Sequence, residues 1–265
     1  MSLVFAAIAP HPPILIPTIG QEALKKINKT KRALEQLEED LYLSKPDILL
    51  VVAPHNNLMT DAFTLNVCTE YETDLRDFGD LSTRLKFKGD IGLATNILEA
   101  SKDTNVPTVM FSERLIDHGA TVPLFCLANH ITNANIIPVG FATDLGWKKH
   151  VDFGTLIKDQ IMNTNKRVAV IASGDLSHAL TSDSPAGFNT AGVEFDTKIQ
   201  EFLPNKNLVG MMQWEEKFIK NAAADAGFRT ILILMGILHD VNYTYKSYCY
   251  ENPLGVGYLT ANFVL

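Results

Sequence analysis

Short apolar runs alternate with longer stretches of mixed polarity along almost the whole chain. Residues 4–9 form an apolar run, closed by Pro10, His11, Pro12 and Pro13. Between residues 21 and 43, Leu24, Ile27, Ala33, Leu37 and Leu41 recur at three- and four-residue steps with Lys and Glu between them, which predicts an amphipathic helix. Residues 47–53 (DILLVVA) and 167–172 (RVAVIA) are continuous apolar runs, as expected of strands buried on both faces. Residues 62–68, 109–111 and 136–141 read as further strands, and helices are predicted over 90–102, 123–130, 153–162, 190–202, 214–224 and 228–238. The Tyr-rich alternation of 241–250 predicts an antiparallel strand, with 257–264 as its partner. The alternation of strand and helix predicts an α/β fold: a single domain over 1–265, its mostly parallel or mixed central sheet flanked by helices on both faces. Residues 71–89, charged and poor in apolar side chains, read as an excursion over the surface and not as a domain boundary.

Composition narrows the function classes. Of 265 residues, 46% are hydrophobic and 20% charged, ordinary for a soluble globular protein. Lys and Arg number 23 against 30 Asp and Glu, a net charge of −7 that argues against nucleic-acid binding. The longest later apolar run, 231–238, is far short of the ~20 residues of a membrane span. The apolar start lacks a basic flank and is broken by prolines, so no signal peptide is expected. Cys68, Cys126 and Cys249 are widely spaced with no C-x-x-C, which fits free thiols and a cytoplasmic location.

Three strand-like runs end in histidine. Residues 4–9 lead into Pro10-His11, residues 49–53 into Pro54-His55, and residues 168–172 into Ser173-Gly174-Asp175-Leu176-Ser177-His178. Ligands of α/β sheets bind outside the carboxyl ends of strands, where all three of these imidazoles fall. Proline cannot continue a central ladder, so Pro10 and Pro54 stop their strands and aim the next residue out of the sheet. A fourth histidine, His118, lies in Asp117-His118-Gly119-Ala120-Thr121-Val122-Pro123-Leu124, where Asp117 either orients an imidazole or caps the turn. His130, His150 and His239 fall on or near predicted helices and read as surface or satisfied core residues.

Neutral imidazoles ligate iron, zinc and copper, and two of them with one carboxylate make the non-haem iron(II) arrangement, which leaves positions open for substrate and dioxygen. The carboxylate candidates are Asp225, Asp175 and Glu251. Asp225 precedes an apolar helix and is equally placed to be its N-cap. Asp175 is equally placed to hold its own turn.

The opening Ala9-Pro10-His11-Pro12-Pro13, the later Ala53-Pro54-His55, the segment 117–124 and Ser173-Gly174-Asp175-Leu176-Ser177-His178 together resemble the catalytic subunit of class III extradiol ring-cleavage dioxygenases, the LigB superfamily. The closing Tyr250-Glu251-Asn252-Pro253-Leu254-Gly255-Val256-Gly257-Tyr258 resembles the end of its standalone members, so the resemblance covers nearly the whole chain. It implies an oxidoreductase acting on a catechol-like aromatic with O2. His11 and His55 would be Fe(II) ligands, Asp225 would stand where the family has a glutamate ligand, His178 would be the catalytic acid/base and His118 would line the substrate pocket. Aspartate for glutamate shortens the reach by roughly 1.5 Å, one carbon–carbon bond. That departure favours the alternative within the superfamily: a Memo-like metal-binding protein, holding zinc or copper, without dioxygenase activity, in a redox or protein-modification pathway. Memo-like proteins carry a cysteine near this point, where this chain has none. A homodimer is the commonest assembly for such enzymes.

Overall fold

The computed structural model describes residues 2–55 and 58–265. In chain order the elements are β1 (Leu3–Ala9), α1 (Pro17–Gly20), α2 (Asn28–Ser44), β2 (Ile48–Val52), β3 (Phe63–Asn66), β4 (Glu70–Thr73), β5 (Lys86–Lys88), α3 (Ile91–Lys102), β6 (Thr108–Phe111), β7 (Leu115–Ile116) and α4 (His118–Leu127). Then come β8 (Asn135–Gly140), α5 (Trp147–Met162), β9 (Val168–Ser173), α6 (Thr190–Phe202), α7 (Leu208–Met212), α8 (Glu216–Asn221), α9 (Asp225–Ile237), β10 (Thr244–Glu251) and β11 (Tyr258–Val264). Among the described residues no helix is long and apolar enough to cross a membrane.

Eight strands form the central sheet in the order β10-β11-β1-β9-β2-β8-β3-β6. β1, β9, β2 and β8 run parallel to one another, and the β10–β11 hairpin joins β1 antiparallel. The fold is therefore the α/β sheet, mixed and largely parallel, that the apolar runs predict. Side chains of a strand alternate between faces, and β2 shows what that does here. Leu50 and Val52 enter one apolar layer with Phe153, Ile157, Phe228 and Ile231 of α5 and α9. Leu49 and Val51 enter the other with Leu34, Leu37 and Leu41 of α2 and Val122 and Leu124 of α4. Burying both faces removes the polar alternation and leaves the continuous apolar run seen in the sequence.

Element boundaries differ from the hydrophobic pattern where helix signals are weak. The fourth helix begins at His118, five residues before the predicted start, because Asp117 caps it by accepting the Gly119 N–H at 2.7 Å. α5 begins at Trp147, not residue 153. The long helix predicted from residue 21 is a 3-10 stretch, Gln21–Ile27, followed by α2. The surface excursion carries β4 and β5, which with β7 make a small sheet of order β5-β4-β7.

Candidate metal centre

Because β1, β9 and β2 are parallel neighbours, their chains leave the sheet at one edge. His11 follows β1 and His55 follows β2, with β9 between them. Two inter-strand steps span roughly 9–10 Å, yet the His11 and His55 ring centroids are 5.5 Å apart. The two rings therefore reach toward each other across the end of β9. His118, on the first turn of α4, completes the group: its ring lies 5.6 Å from His11 and stacks on His55 at 4.5 Å. One nitrogen from each of the three rings lies within 4.8 Å of the other two. Gly119 permits this approach. A Cβ there would sit 3.0 Å from Pro54 Cδ and 3.1 Å from His55 Cδ2.

The tautomer of His11 is set by a chain of hydrogen bonds that starts at a proline. Pro123 lies inside α4 and has no N–H, so the Gly119 carbonyl four residues earlier lacks its helical donor. Ser173 Oγ, at the end of β9, donates to that carbonyl at 2.5 Å. Its single proton is then spent, so toward His11 Nδ1, 3.3 Å away, Ser173 can only accept. His11 therefore carries its proton on Nδ1 and keeps the Nε2 lone pair. Burial first, then His55 and His178, hold the His11 pKa down at about 3. Burial, then His55 and His11, does the same to His118, also to about 3. Both imidazoles are thus neutral donors over the physiological range, as a cation requires.

His178 and Asp175 adjoin the triad. His178 Nδ1 faces only carbonyls, Leu176 O at 3.1 Å and Ala223 O at 3.2 Å, so it bears the hydrogen and Nε2 is left as the basic nitrogen. Asp175 is buried and accepts the His11 backbone N–H at 2.9 Å, with its Oδ1 3.8 Å from His11 Nδ1. Burial pushes Asp175 up to about 6, against the pull of that hydrogen bond and of the neighbouring imidazoles of His178, His118 and His55. Phe78, carried in by the 71–89 excursion, packs edge-on against His118 at 4.8 Å. Asp80 anchors that excursion by accepting Thr18 Oγ1 at 2.7 Å.

The other two carboxylate candidates have partners of their own. Asp225 is not among the residues gathered with the three imidazoles. It is the first residue of α9 and not its N-cap, and its Oδ2 accepts Arg229 Nε at 2.8 Å. Its Oδ1 is buried without a hydrogen-bond partner. Glu251 Oε1 accepts both Thr30 N–H and Thr30 Oγ1 at 2.7 Å, at the start of α2. His150 is a core residue whose Nδ1 lies 3.1 Å from Gly146 O, and His130 is exposed beside Glu38. Sequence reading had no signal for Phe78, whose segment looks solvated, nor for the link from Pro123 to Ser173. It placed His118 near the site but not within the nitrogen cluster.

Three imidazoles converging at one sheet edge, one with its tautomer fixed from behind, suit a divalent transition metal such as iron, zinc or copper. The chain belongs to the family described as the catalytic LigB subunit of aromatic ring-opening dioxygenase, whose pattern its residues 5–261 match.

Among similar proteins, Protein CA_C1420 of Clostridium acetobutylicum is 29% identical over 97% of this chain and 57% of its own length. A 2,3-dihydroxyphenylpropionate/2,3-dihydroxicinnamic acid 1,2-dioxygenase of Mycolicibacterium gilvum is 29% identical over 63% of this chain and 54% of its own length. The 4,5-DOPA dioxygenase extradiol of Mirabilis jalapa is 24% identical over 68% of this chain and 67% of its own length. The chain thus spans little more than half the length of the first two. An uncharacterized Escherichia coli K12 protein, JW3007, has the same fold: TM-score 0.70 at 15% identity, covering 98% of this chain and 99% of that one.

Proposed function

We propose that this chain is a non-haem iron(II)-dependent extradiol dioxygenase that opens a catechol-like aromatic ring with O2. The observation that carries the reading is the convergence of His11, His55 and His118 within 4.8 Å in a member of the LigB family. The substrates named for the Mycolicibacterium and Mirabilis relatives are catechols, which supports the substrate class. His11, His55 and His118 would hold the metal; Asp225 becomes the fourth ligand only if its free Oδ1 turns to the centre. Bound iron(II) would supply activation of dioxygen and a template for the two adjacent substrate oxygens. The protein supplies the proton traffic. His178 takes a phenolic proton at Nε2 while its Nδ1–H stays on Leu176 and Ala223, and returns that proton as the ring opens. Both oxygen atoms of O2 end in the ring-opened product, so no external reductant enters.

Anaerobic loading with iron(II), followed by oxygen uptake with a catechol panel that includes 2,3-dihydroxyphenylpropionate and DOPA, tests the reading. Stoichiometric uptake with a coloured ring-opened product is expected. Bound iron without uptake for any catechol rejects it and favours the second reading, a metal-binding protein without dioxygenase activity. That reading draws on the absence of Asp225 from the imidazole group. A separate prediction concerns the serine behind His11. Ser173→Ala is expected to weaken zinc or iron(II) binding about 10- to 100-fold, as loss of a ligand's hydrogen-bond partner does. Competition against a chromophoric chelator reads the change, and an unaltered affinity would remove Ser173 from the centre.

A further inference from the structure

The closing segment Tyr250–Tyr258 takes no part in the chemistry proposed above, yet it is fastened to the loop that carries His178. Leu176 N–H donates to Gly257 O at 2.7 Å, Gly257 N–H to Ser177 O at 2.9 Å, and Leu180 N–H to Gly255 O at 3.3 Å. Ser184 Oγ donates to the same Gly255 carbonyl at 2.8 Å.

Behind the loop, on α6, lies Asp196, only 2% exposed. Its Oδ1 accepts the Ser177 N–H at 2.9 Å and its Oδ2 accepts the Tyr250 hydroxyl at 2.7 Å. A buried carboxyl is tolerated where both oxygens find donors, and here they do. His178 N–H donates to Ala223 O at 3.2 Å, and Ala179 N–H to Ser177 Oγ at 3.0 Å. Every backbone N–H from Leu176 to Ala179 is therefore engaged. Position 257 must be glycine for the closure, since a Cβ would lie 2.0 Å from Asp196 Oδ2 and 3.0 Å from Leu176 Cβ.

From this wiring we infer that Asp196, steadied by Tyr250, is the positioning residue that fixes the His178 imidazole in one place and one tautomer. Asp196 bonds the residue next to His178, and the Tyr250 hydroxyl donates to the far oxygen of Asp196. The kinetic consequence rests on the reading of His178 as the acid/base; the structural consequence does not.

Nitrogen-15 histidine spectra of the full-length, zinc-loaded protein without any catechol test it, with His178→Gln assigning the signals. Wild-type His178 is expected in a single tautomer with hydrogen on Nδ1. Asp196→Ala is expected to mix the tautomers. Asp196→Asn is expected to restore the single one, because its amide oxygen still accepts from Ser177 and its NH2 donates to Tyr250. In turnover, Asp196→Ala should lower kcat on the order of 100-fold, the cost of a misplaced catalytic group, with KM changed less than about 2-fold.

A folded Asp196→Ala whose His178 signals match wild type overturns the inference. If that variant does not fold, Tyr250→Phe decides: a smaller shift of the His178 signals in the same direction supports the inference, and unchanged signals overturn it. Absence of oxygen uptake in the wild-type protein would remove the dioxygenase reading while the tautomer result still stands or falls alone.

Discussion

His118→Ala is expected to strip the protein of its metal, whereas His178→Ala is expected to spare the metal and remove turnover. The two histidines carry the same side chain at the same edge of the sheet, so the contrast isolates geometry. A ring nitrogen of His118 belongs to the cluster within 4.8 Å, and its ring stacks on His55 at 4.5 Å. Removing it leaves two imidazoles. Loss of a mere supporting partner already costs 10- to 100-fold in metal affinity, so loss of a ligand should cost more than about 100-fold. His178 is outside that cluster, tied through Nδ1 to Leu176 and Ala223 carbonyls, with Nε2 as its working nitrogen. Its removal should change metal affinity less than about 2-fold while lowering kcat by about 10²- to 10⁴-fold, the usual share of an acid/base group. Metal analysis after dialysis and oxygen uptake read the two arms. A His118→Ala protein that keeps its metal and only raises KM would return His118 to the pocket-lining role that family resemblance gives it.

The sheet was legible because burial on both faces writes itself as unbroken apolar runs, as in residues 47–53 and 167–172. The gathering of His11 and His55 was legible for a related reason: proline ends each strand and the following residue has to leave the sheet. What the pattern could not carry was the direction in which each ring points once it leaves its strand. The sequence spacing does not show that two rings from strands two steps apart come to 5.5 Å. The start of α4 was hidden because Gly119, Thr121 and Pro123 are poor helix formers, and tertiary contacts hold the turn they occupy. The same proline that obscured the helix is what frees the Gly119 carbonyl for Ser173. The excursion over 71–89 reads as solvated from its charges, and half of them are spent on one another: Asp74 pairs with Arg76 and Glu72 faces Arg84, while Arg114 from beyond the segment also faces Glu72. Its one contribution to the centre, Phe78, is an isolated aromatic with no periodicity to announce it.

Asp225 is where removal of one side chain separates a structural acid from a metal ligand. Its partner Arg229 is 2% exposed, and besides the 2.8 Å bond to Asp225 its Nη1 donates to Ala142 O at 3.1 Å and Leu145 O at 2.9 Å. The guanidinium also lies 4.8 Å from the Trp147 ring centroid and 3.2 Å from His150 Nε2. Burial, then the charge of Arg229, holds His150 down at about 4, so that imidazole stays neutral beside the guanidinium. The only carboxylate bonded to this buried cation is Asp225 among the hydrogen bonds of the described residues. Asp225→Ala should therefore destabilise the fold. Breaking a fully buried pair costs about 3–5 kcal/mol, and the partial exposure of Asp225 reduces this to about 2–3 kcal/mol. Asp225→Asn, which keeps an acceptor for Arg229 Nε, should lose about 1 kcal/mol, the net worth of the charge in a hydrogen bond. Urea unfolding of the metal-free proteins measures both. On the geometry of the imidazole cluster, metal affinity should change less than about 2-fold in either variant, a small fraction of the loss expected for a ligand. The opposing pull comes from Oδ1, buried and without a hydrogen-bond partner, which is the atom a ligand role would use. If Asp225→Asn instead loses the metal while the metal-free fold keeps its stability, the carboxylate belongs to the centre, and the two-histidine, one-carboxylate arrangement implied by the family resemblance replaces the triad.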